Sequence, residues 1–227
     1  PPTFRKYLPN RDGLPRGPGA CRGTHAMAEN DSKPLGGKLA LVTGASRGIG
    51  AATAEALARA GAHVILVART ATALEKVEDR IHDARGSATI APLDLTEGDA
   101  VAKLGAAVAQ RWDKLDILVL NAGMLGSLTP VEHIDPKEFA RLLTLNVGAN
   151  QAMIAAFDPP LRKAERADVV GITSSVGNAP RAFWGAYGAS KAALENLLGA
   201  YADETEHSGR MRVHIVNPGP TRTRMRQ

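Results

Sequence analysis

The stretch KLALVTGASRGIG, residues 38–50, decides the fold. Its first half, KLALVT (38–43), is apolar without alternation, the pattern of a strand buried on both faces. It then breaks at glycines and opens a helical pattern, GIGAATAEALARAG (48–61), that ends at Gly61. Strand, glycine turn and helix in that order begin a parallel crossover unit. The alternation repeats outward along the chain. A strand HVILVA (63–68) precedes a helix over 70–86, and a strand SATIAPLD (87–94) precedes a helix over 96–112, with Thr96 expected as its N-cap. LDILVLN (115–121) is a fourth strand. A helical region from Pro136 to Phe157 is expected to stop at Asp158-Pro159-Pro160, because a residue before proline is pushed out of the α region. A strand ADVVGIT (167–173), a helix over 185–206 and a strand RVHIVN (212–217) complete the pattern. The expected fold class is α/β, a single-domain Rossmann-type doubly wound parallel sheet with helices on both faces.

Bulk properties narrow the function. A chain of 227 residues, 44% hydrophobic, is long enough for one well-buried domain. Its net charge of +5 invites a nucleic-acid reading. That charge sits at the ends, on Arg5, Lys6, Arg11, Arg16 and Arg22 and on Arg222, Arg224 and Arg226, which leaves the body mildly acidic and without a basic stripe. The single cysteine, Cys21, lies outside the body, so no disulfide, thiolate nucleophile or cysteine metal site is expected there, and a reducing cytoplasm fits. No apolar run reaches the roughly 18 residues of a membrane span. Residues 1–26 are rich in Pro, Gly and Arg and lack apolar periodicity, and Met27 has the look of a natural start. Their prolines argue against an amphipathic transit peptide. Residues 1–36 are therefore expected to form a disordered extension, and 37–227 the folded domain.

Three motifs carry chemistry. In Thr43-Gly44-Ala45-Ser46-Arg47-Gly48-Ile49-Gly50, the glycines let the backbone approach a diphosphate whose charge meets a helix N-terminus. A reader of the ribose 2′-hydroxyl would place an acid after the second strand, where this chain has Ala68-Arg69-Thr70. Arg69 and Arg47 instead suit a 2′-phosphate, so NADP(H) is expected over NAD(H). Asp94, closing the third strand beside Leu95, has two readings: acceptor for the adenine amino group, or cap of its own loop. Asn121-Ala122-Gly123 puts small residues where a dinucleotide would lie on the sheet edge. Finally, Tyr187 and Lys191 are helical i,i+4 neighbours, and an ammonium beside a phenol favours phenolate and lowers its pKa from about 10 toward neutral. The Ser174 hydroxyl, at the end of the fifth strand, can hold a substrate oxygen as charge develops on it.

These segments, with Asn146 and Asn217-Pro218-Gly219, strongly resemble the short-chain dehydrogenase/reductase family over about residues 37–223. The resemblance implies that Tyr187 is the general acid/base and that Lys191 binds nicotinamide ribose and lowers the tyrosine pKa. It implies that Ser174, at the family's spacing of thirteen residues before Tyr187, orients the carbonyl. It makes Asn146 the holder of a water that links Lys191 to solvent, and Pro218, Gly219 and Thr221 contacts of the nicotinamide carboxamide. The residues Gly44, Ser46, Arg47, Gly48, Ile49, Gly50, Arg69, Asp94, Leu95, Asn121, Ala122 and Gly123 would complete the NADP(H) site, with no metal. The activity implied is hydride transfer between nicotinamide and a small carbonyl or alcohol. The alternatives are a non-catalytic dinucleotide sensor or scaffold, and an isomerase or dehydratase acting on a sugar nucleotide. Arg181, Phe183 and Trp184, just before Tyr187, are expected at the pocket mouth. Family members pair through the helices near 136–157 and 185–206, so a homodimer or homotetramer is expected, with Ala189, Ala192, Ala193 and Gly199 allowing close approach. The sequence stops at Gln227, where the family continues into a substrate lid and a seventh strand, so these are expected to be missing.

Overall fold

The computed structural model describes residues 33–221. Six parallel strands form one sheet in the order β3-β2-β1-β4-β5-β6: β1 (Leu39–Thr43), β2 (His63–Ala68), β3 (Ser87–Pro92), β4 (Ile117–Leu120), β5 (Ala167–Ile172) and β6 (Met211–Val216). The order reverses between β1 and β4, the point where doubly wound sheets leave a crevice at the strands' carboxyl ends.

Strands β1 to β5 feed two cores, because successive side chains point to opposite faces, while β6 packs on one. From β1, Leu41 joins Ile65, Leu104, Leu118, Met153, Phe157 and Leu198 on one face. Val42 joins Leu66, Ala54, Ala58, Leu74, Val77 and Ile81 on the other. Helices α1 (Gly48–Arg59) and α2 (Ala71–Asp83) cover the second face, while α3 (Ala100–Arg111), α5 (Ala149–Arg162) and α7 (Gly185–Glu206) cover the first. Helix α1 closes at Gly61, whose N–H donates to Ala58 while Ala62 donates to Leu57, satisfying two carbonyls at the helix end.

Three expectations need correction. Thr96 does not cap α3. Its N–H and hydroxyl both donate to Asp94 Oδ1 (2.9 and 2.7 Å), which folds 94–97 into a turn and delays the helix to Ala100. Asp158-Pro159-Pro160 does not stop the helix either, and α5 runs through both prolines to Arg162. Packing carries that last turn. Phe157, Pro160 and Leu161 are buried, the Asp158 carboxylate accepts from Arg162 Nε and the Tyr201 hydroxyl, and the Pro160 carbonyl accepts from Leu115 N–H. The expected helical region from Pro136 is unbroken, built of α4 (Pro136–Leu143), one π turn (Thr144–Gly148) and α5. Of the stretch 1–36 expected to lack structure, residues 33–36 lie in a turn against the end of α1, where Leu35 N–H donates to Ala60 at 2.8 Å. The rest of that stretch, with Met27, lies outside the described residues, as does 222–227. Among the described residues no helix is long and apolar enough to cross a membrane.

Candidate active site

The glycine loop stands at the reversal point between β1 and β4. Gly44 has φ +64, and a Cβ there would lie 2.8 Å from Asn121 Nδ2. At Gly50 a Cβ would press on the Gly44 carbonyl and come within 2.5 Å of Asn121 Nδ2. Only bare backbone allows α1 to start this close to the loop. Asn121 donates to the carbonyls of Thr43 (2.9 Å) and Gly44 (3.3 Å), so its amide pins the loop to the end of β4. Thr43 stitches the same seam. Its hydroxyl accepts from the N–H groups of Asn121 and Ala122, each at 3.0 Å, and donates to the Val119 carbonyl. Thr43 was quoted in the motif but given no role in the sequence; a hydroxyl at the end of an apolar strand was its signal.

The loop leads into the first turn of α1, where Gly48, Ile49 and Gly50 carry the N–H groups that a helix leaves without internal partners. No acidic residue sits in that turn, so it suits an anion. Ser46 and Ile49 are half-buried beside it, Arg47 is exposed at the cap position, and Arg69 is exposed at the end of β2. Asp94 caps its own loop through Oδ1. Burial alone would raise its carboxyl, but the Thr96 hydrogen bonds and the charge of Arg69 outweigh that and hold it below its usual value. Leu95 beside it is buried.

Helix α7 carries Tyr187 and Lys191, the candidate acid–base pair. Its buried stripe reads Tyr187, Lys191, Leu194, Leu198, Tyr201 and Thr205, at spacings of three and four. Lys191 thus occupies a core position, only 4% exposed. Its Nζ donates to the Ile172 carbonyl at the end of β5 (2.8 Å) and lies 5.7 Å from the centroid of the Tyr187 ring. Burial lowers the Lys191 ammonium from 10.5 to about 8, with the Glu195 carboxylate opposing the shift. Trp184 packs edge-on against Tyr187 with centroids 6.1 Å apart, and Arg181 lies over the Trp184 ring, so these side chains border the pair. Phe183 is 57% exposed on a backbone of φ +72. A cavity of about 250 Å³ lies between α7 and the short α6 (Ser175–Asn178), lined by Val176, Pro180, Arg181, Trp184 and Ala189.

Asn146 is fully buried in the π turn, a helical irregularity that often marks a functional site. Its Oδ1 accepts from Met124 N–H (2.8 Å), and its Nδ2 donates to the Met124 carbonyl (2.9 Å) and to Ser190 Oγ (3.0 Å). Ser190 in turn donates to the Tyr187 carbonyl. Asn146 therefore locks the segment after β4 to α7. Gly123 completes the approach, since a Cβ there would lie 3.2 Å from Asn146 Oδ1 and 3.8 Å from Lys191 Nζ. Ser174, half-buried, lies two residues beyond the end of β5 at the N-cap position of α6, while its neighbour Ser175 is exposed. Pro218, Gly219 and Thr221 follow β6 in an exposed turn held by its own bonds, from Gly219 N–H to Asn217 Oδ1 and from the Thr221 hydroxyl to the Pro218 carbonyl. Ser190, Met124 and Glu195 were not singled out in the sequence.

A sequence profile of short chain dehydrogenases matches residues 38–227. The chain is 37% identical over 195 residues to YciK, an uncharacterized oxidoreductase of Escherichia coli, a match spanning 85% of this chain and 77% of that one. The structure of a short chain dehydrogenase from Salmonella enterica serovar Typhi superposes with a TM-score of 0.83 at 36% identity, covering 88% of this chain and 83% of that chain. A metagenomic short-chain oxidoreductase solved in complex with NADP superposes with a TM-score of 0.77 at 38% identity, covering 82% and 84%.

Proposed function

The chain belongs to the short chain dehydrogenase family of oxidoreductases, and we propose that it binds NADP(H) and interconverts a carbonyl and an alcohol with Tyr187 as general acid/base. The observation that carries this reading is Lys191, buried in a core position 5.7 Å from the Tyr187 ring. An ammonium is not tolerated there by packing alone, and its charge stabilises a neighbouring phenolate.

The residues present fit the dinucleotide. The Gly44–Gly50 contact leaves the α1 N-terminus open to a diphosphate, and Arg47 and Arg69 supply exposed guanidinium groups for a 2′-phosphate. Asp94 and Leu95 would border the dinucleotide's adenine end, Ala122 and Gly123 its nicotinamide end, and Pro218, Gly219 and Thr221 its carboxamide. Bound there, NADPH would supply the hydride for the substrate carbon.

Each remaining step belongs to the protein. Ser174 donates a hydrogen bond to the substrate oxygen and fixes its direction. Tyr187 delivers a proton to that oxygen as it gains charge. Lys191, held by the Ile172 carbonyl, stabilises the resulting phenolate. The Asn146 carbonyl, which accepts from the Asn150 side-chain amide at 2.8 Å, is the group that would hold a water returning a proton toward Lys191 and Tyr187. In the oxidation direction Tyr187 takes the proton from the alcohol.

The test is incubation of the protein with NADPH and a panel of ketones, aldehydes and quinones, followed by nicotinamide absorbance. Consumption of NADPH with at least one carbonyl is the expected result. Tight NADPH binding without turnover of any panel member overturns the enzymatic reading in favour of a dinucleotide sensor. The same reading includes a homodimer or homotetramer in the cytoplasm, paired through α4–α5 and α7. Ala189 and Ala192 are exposed, and a Cβ at Gly199 would meet nothing within 4 Å, which supports close approach there. Sedimentation of the free protein tests that part.

A further inference from the structure

Behind Lys191, away from the tyrosine, lies a side chain that neither the sequence motifs nor the proposed reaction uses. Glu195 is one helical turn beyond Lys191 on α7 and half-buried. It accepts a hydrogen bond from the Thr173 hydroxyl. Thr173, 6% exposed, is the residue between Ile172, whose carbonyl holds Lys191 Nζ, and Ser174, the candidate oxygen-binding residue. Its N–H donates to the Val216 carbonyl on β6 at 2.9 Å. The segment Ile172-Thr173-Ser174 thus leaves β5 gripped from three sides: β6 through the Thr173 N–H, Lys191 through the Ile172 carbonyl, and Glu195 through the Thr173 hydroxyl. The chain also makes room for this contact. A Cβ at Gly177 would lie 2.8 Å from Glu195 Oε1, so glycine at that position of α6 leaves the carboxylate its place.

We propose that Glu195 is a positioning residue for the acid–base group, holding Ser174 in place through Thr173 and keeping Lys191 in its ammonium form by its charge. This rests on the reading of Tyr187, Lys191 and Ser174 given above. The ammonium needs such a partner. Its hydrogen-bond acceptor on β5 is a neutral carbonyl, and burying a charge with neutral partners alone is costly. Around it, α7 contributes the titratable groups Tyr187 and Glu195, β5 contributes Ile172 and Thr173, and the π turn and the loop after β4 contribute Asn146 and Gly123, which do not titrate. The carboxylate that raises the affinity of Lys191 for its proton is Glu195. Two carboxylate functions, one geometric and one electrostatic, therefore meet at a single residue, and substitution separates them.

The experiment follows Lys191 by NMR titration of isotopically labelled lysine in the full chain, alongside the pH profiles of NADPH-dependent carbonyl reduction and NADP+-dependent alcohol oxidation. In Glu195→Gln the amide can still accept from Thr173 but the charge is gone. The Lys191 midpoint, about 8 in the parent, is expected to fall by on the order of one unit, and the alkaline limb of kcat/KM for alcohol oxidation to move down with it. In Thr173→Val the carboxylate stays and its tie is lost. There the midpoint is expected to hold within a few tenths of a unit while kcat drops about tenfold, with NADPH affinity kept. Glu195→Asp, which retains charge but draws the oxygens back from Thr173, is expected to follow Thr173→Val and not Glu195→Gln. An unmoved Lys191 midpoint in Glu195→Gln, or an aspartate variant that titrates like the glutamine one, overturns the electrostatic role. Full turnover in Thr173→Val overturns the geometric one. If the parent turns over nothing, the proposed function fails, while the lysine titration still decides whether Glu195 holds the proton on Lys191.

Discussion

Lys191 Nζ and the ring of Tyr187 are 5.7 Å apart, with the ammonium fixed from behind by the Ile172 carbonyl at 2.8 Å. Both side chains lie on the buried stripe of α7, so packing as well as that bond holds the pair. Removing the phenol oxygen alone should then leave the rest of the site standing. In Tyr187→Phe the ring keeps its edge contact with Trp184, and Lys191 keeps its carbonyl. Turnover is expected to fall at least about 10²-fold, the usual loss when an acid–base group is removed, with NADPH affinity within about twofold of the parent. Steady-state kinetics and a fluorescence titration with NADPH measure the two quantities. Unchanged turnover would remove Tyr187 from the mechanism.

The glycine loop makes a second, sharper demand on geometry. An alanine at position 50 would press its methyl on the Gly44 carbonyl and sit within 2.5 Å of the Asn121 amide that pins the loop. The Gly44 carbonyl is backbone and the Asn121 amide is tied to Thr43 and Gly44, so the loop must open. Gly50→Ala is expected to weaken NADPH binding at least about tenfold and to lower stability by about 1–3 kcal/mol. Calorimetric titration and urea unfolding check the two effects. Wild-type values in both would mean that α1 does not start against the loop.

Much of this was legible in the sequence because the relevant signals are local. The strand from 63 to 68 and the helix from 185 to 206 fall where apolar period and turn residues place them. Lys191 stood out as the i,i+4 neighbour of Tyr187. What escaped was set by tertiary partners. Asp94 claims Thr96 for a turn and so delays α3, and the buried faces of Phe157 and Leu161 hold a helix through two prolines that local rules forbid. Glu195 was not singled out, because only the fold brings Thr173, just after β5, against it. Asn121, expected along the dinucleotide, has its amide committed to Thr43 and Gly44, a contact across 78 residues of sequence that no spacing rule reveals.

In the proposed site, selectivity for the phosphorylated dinucleotide would rest on Arg69, which is exposed at the end of β2 with its charge reaching Asp94. A guanidinium there gains with a 2′-phosphate and gains little with a hydroxyl. Arg69→Ala is expected to raise the Kd for NADPH by about 10- to 100-fold and to change that for NADH by less than about twofold. Binding titrations with both nucleotides decide it. Equal weakening of the two would place Arg69 in general binding and leave 2′-phosphate recognition to Arg47.

The buried ammonium also predicts how stability depends on pH. Lys191 is held at about 8 by burial, against 10.5 for a free lysine. Below about pH 8 the folded and unfolded chains both carry the proton, so the fold bears the full cost of the buried charge. Between those values the unfolded chain keeps a proton that the folded chain has released, and stability rises with pH. Above 10.5 the gain is complete, about 3 kcal/mol for a shift of this size. Lys191→Met removes the group while filling most of its volume. The stability of the parent relative to Lys191→Met is therefore expected to grow by about 3 kcal/mol between about pH 7 and the alkaline end of that window. Urea unfolding at several pH values measures the difference, and carrying both chains on Tyr187→Phe removes the phenol's own ionisation from the comparison. Parallel stability profiles would mean that Lys191 does not change charge in that window. The ammonium would then be paired well enough to keep an ordinary affinity for its proton, and burial would not be what tunes it beside Tyr187.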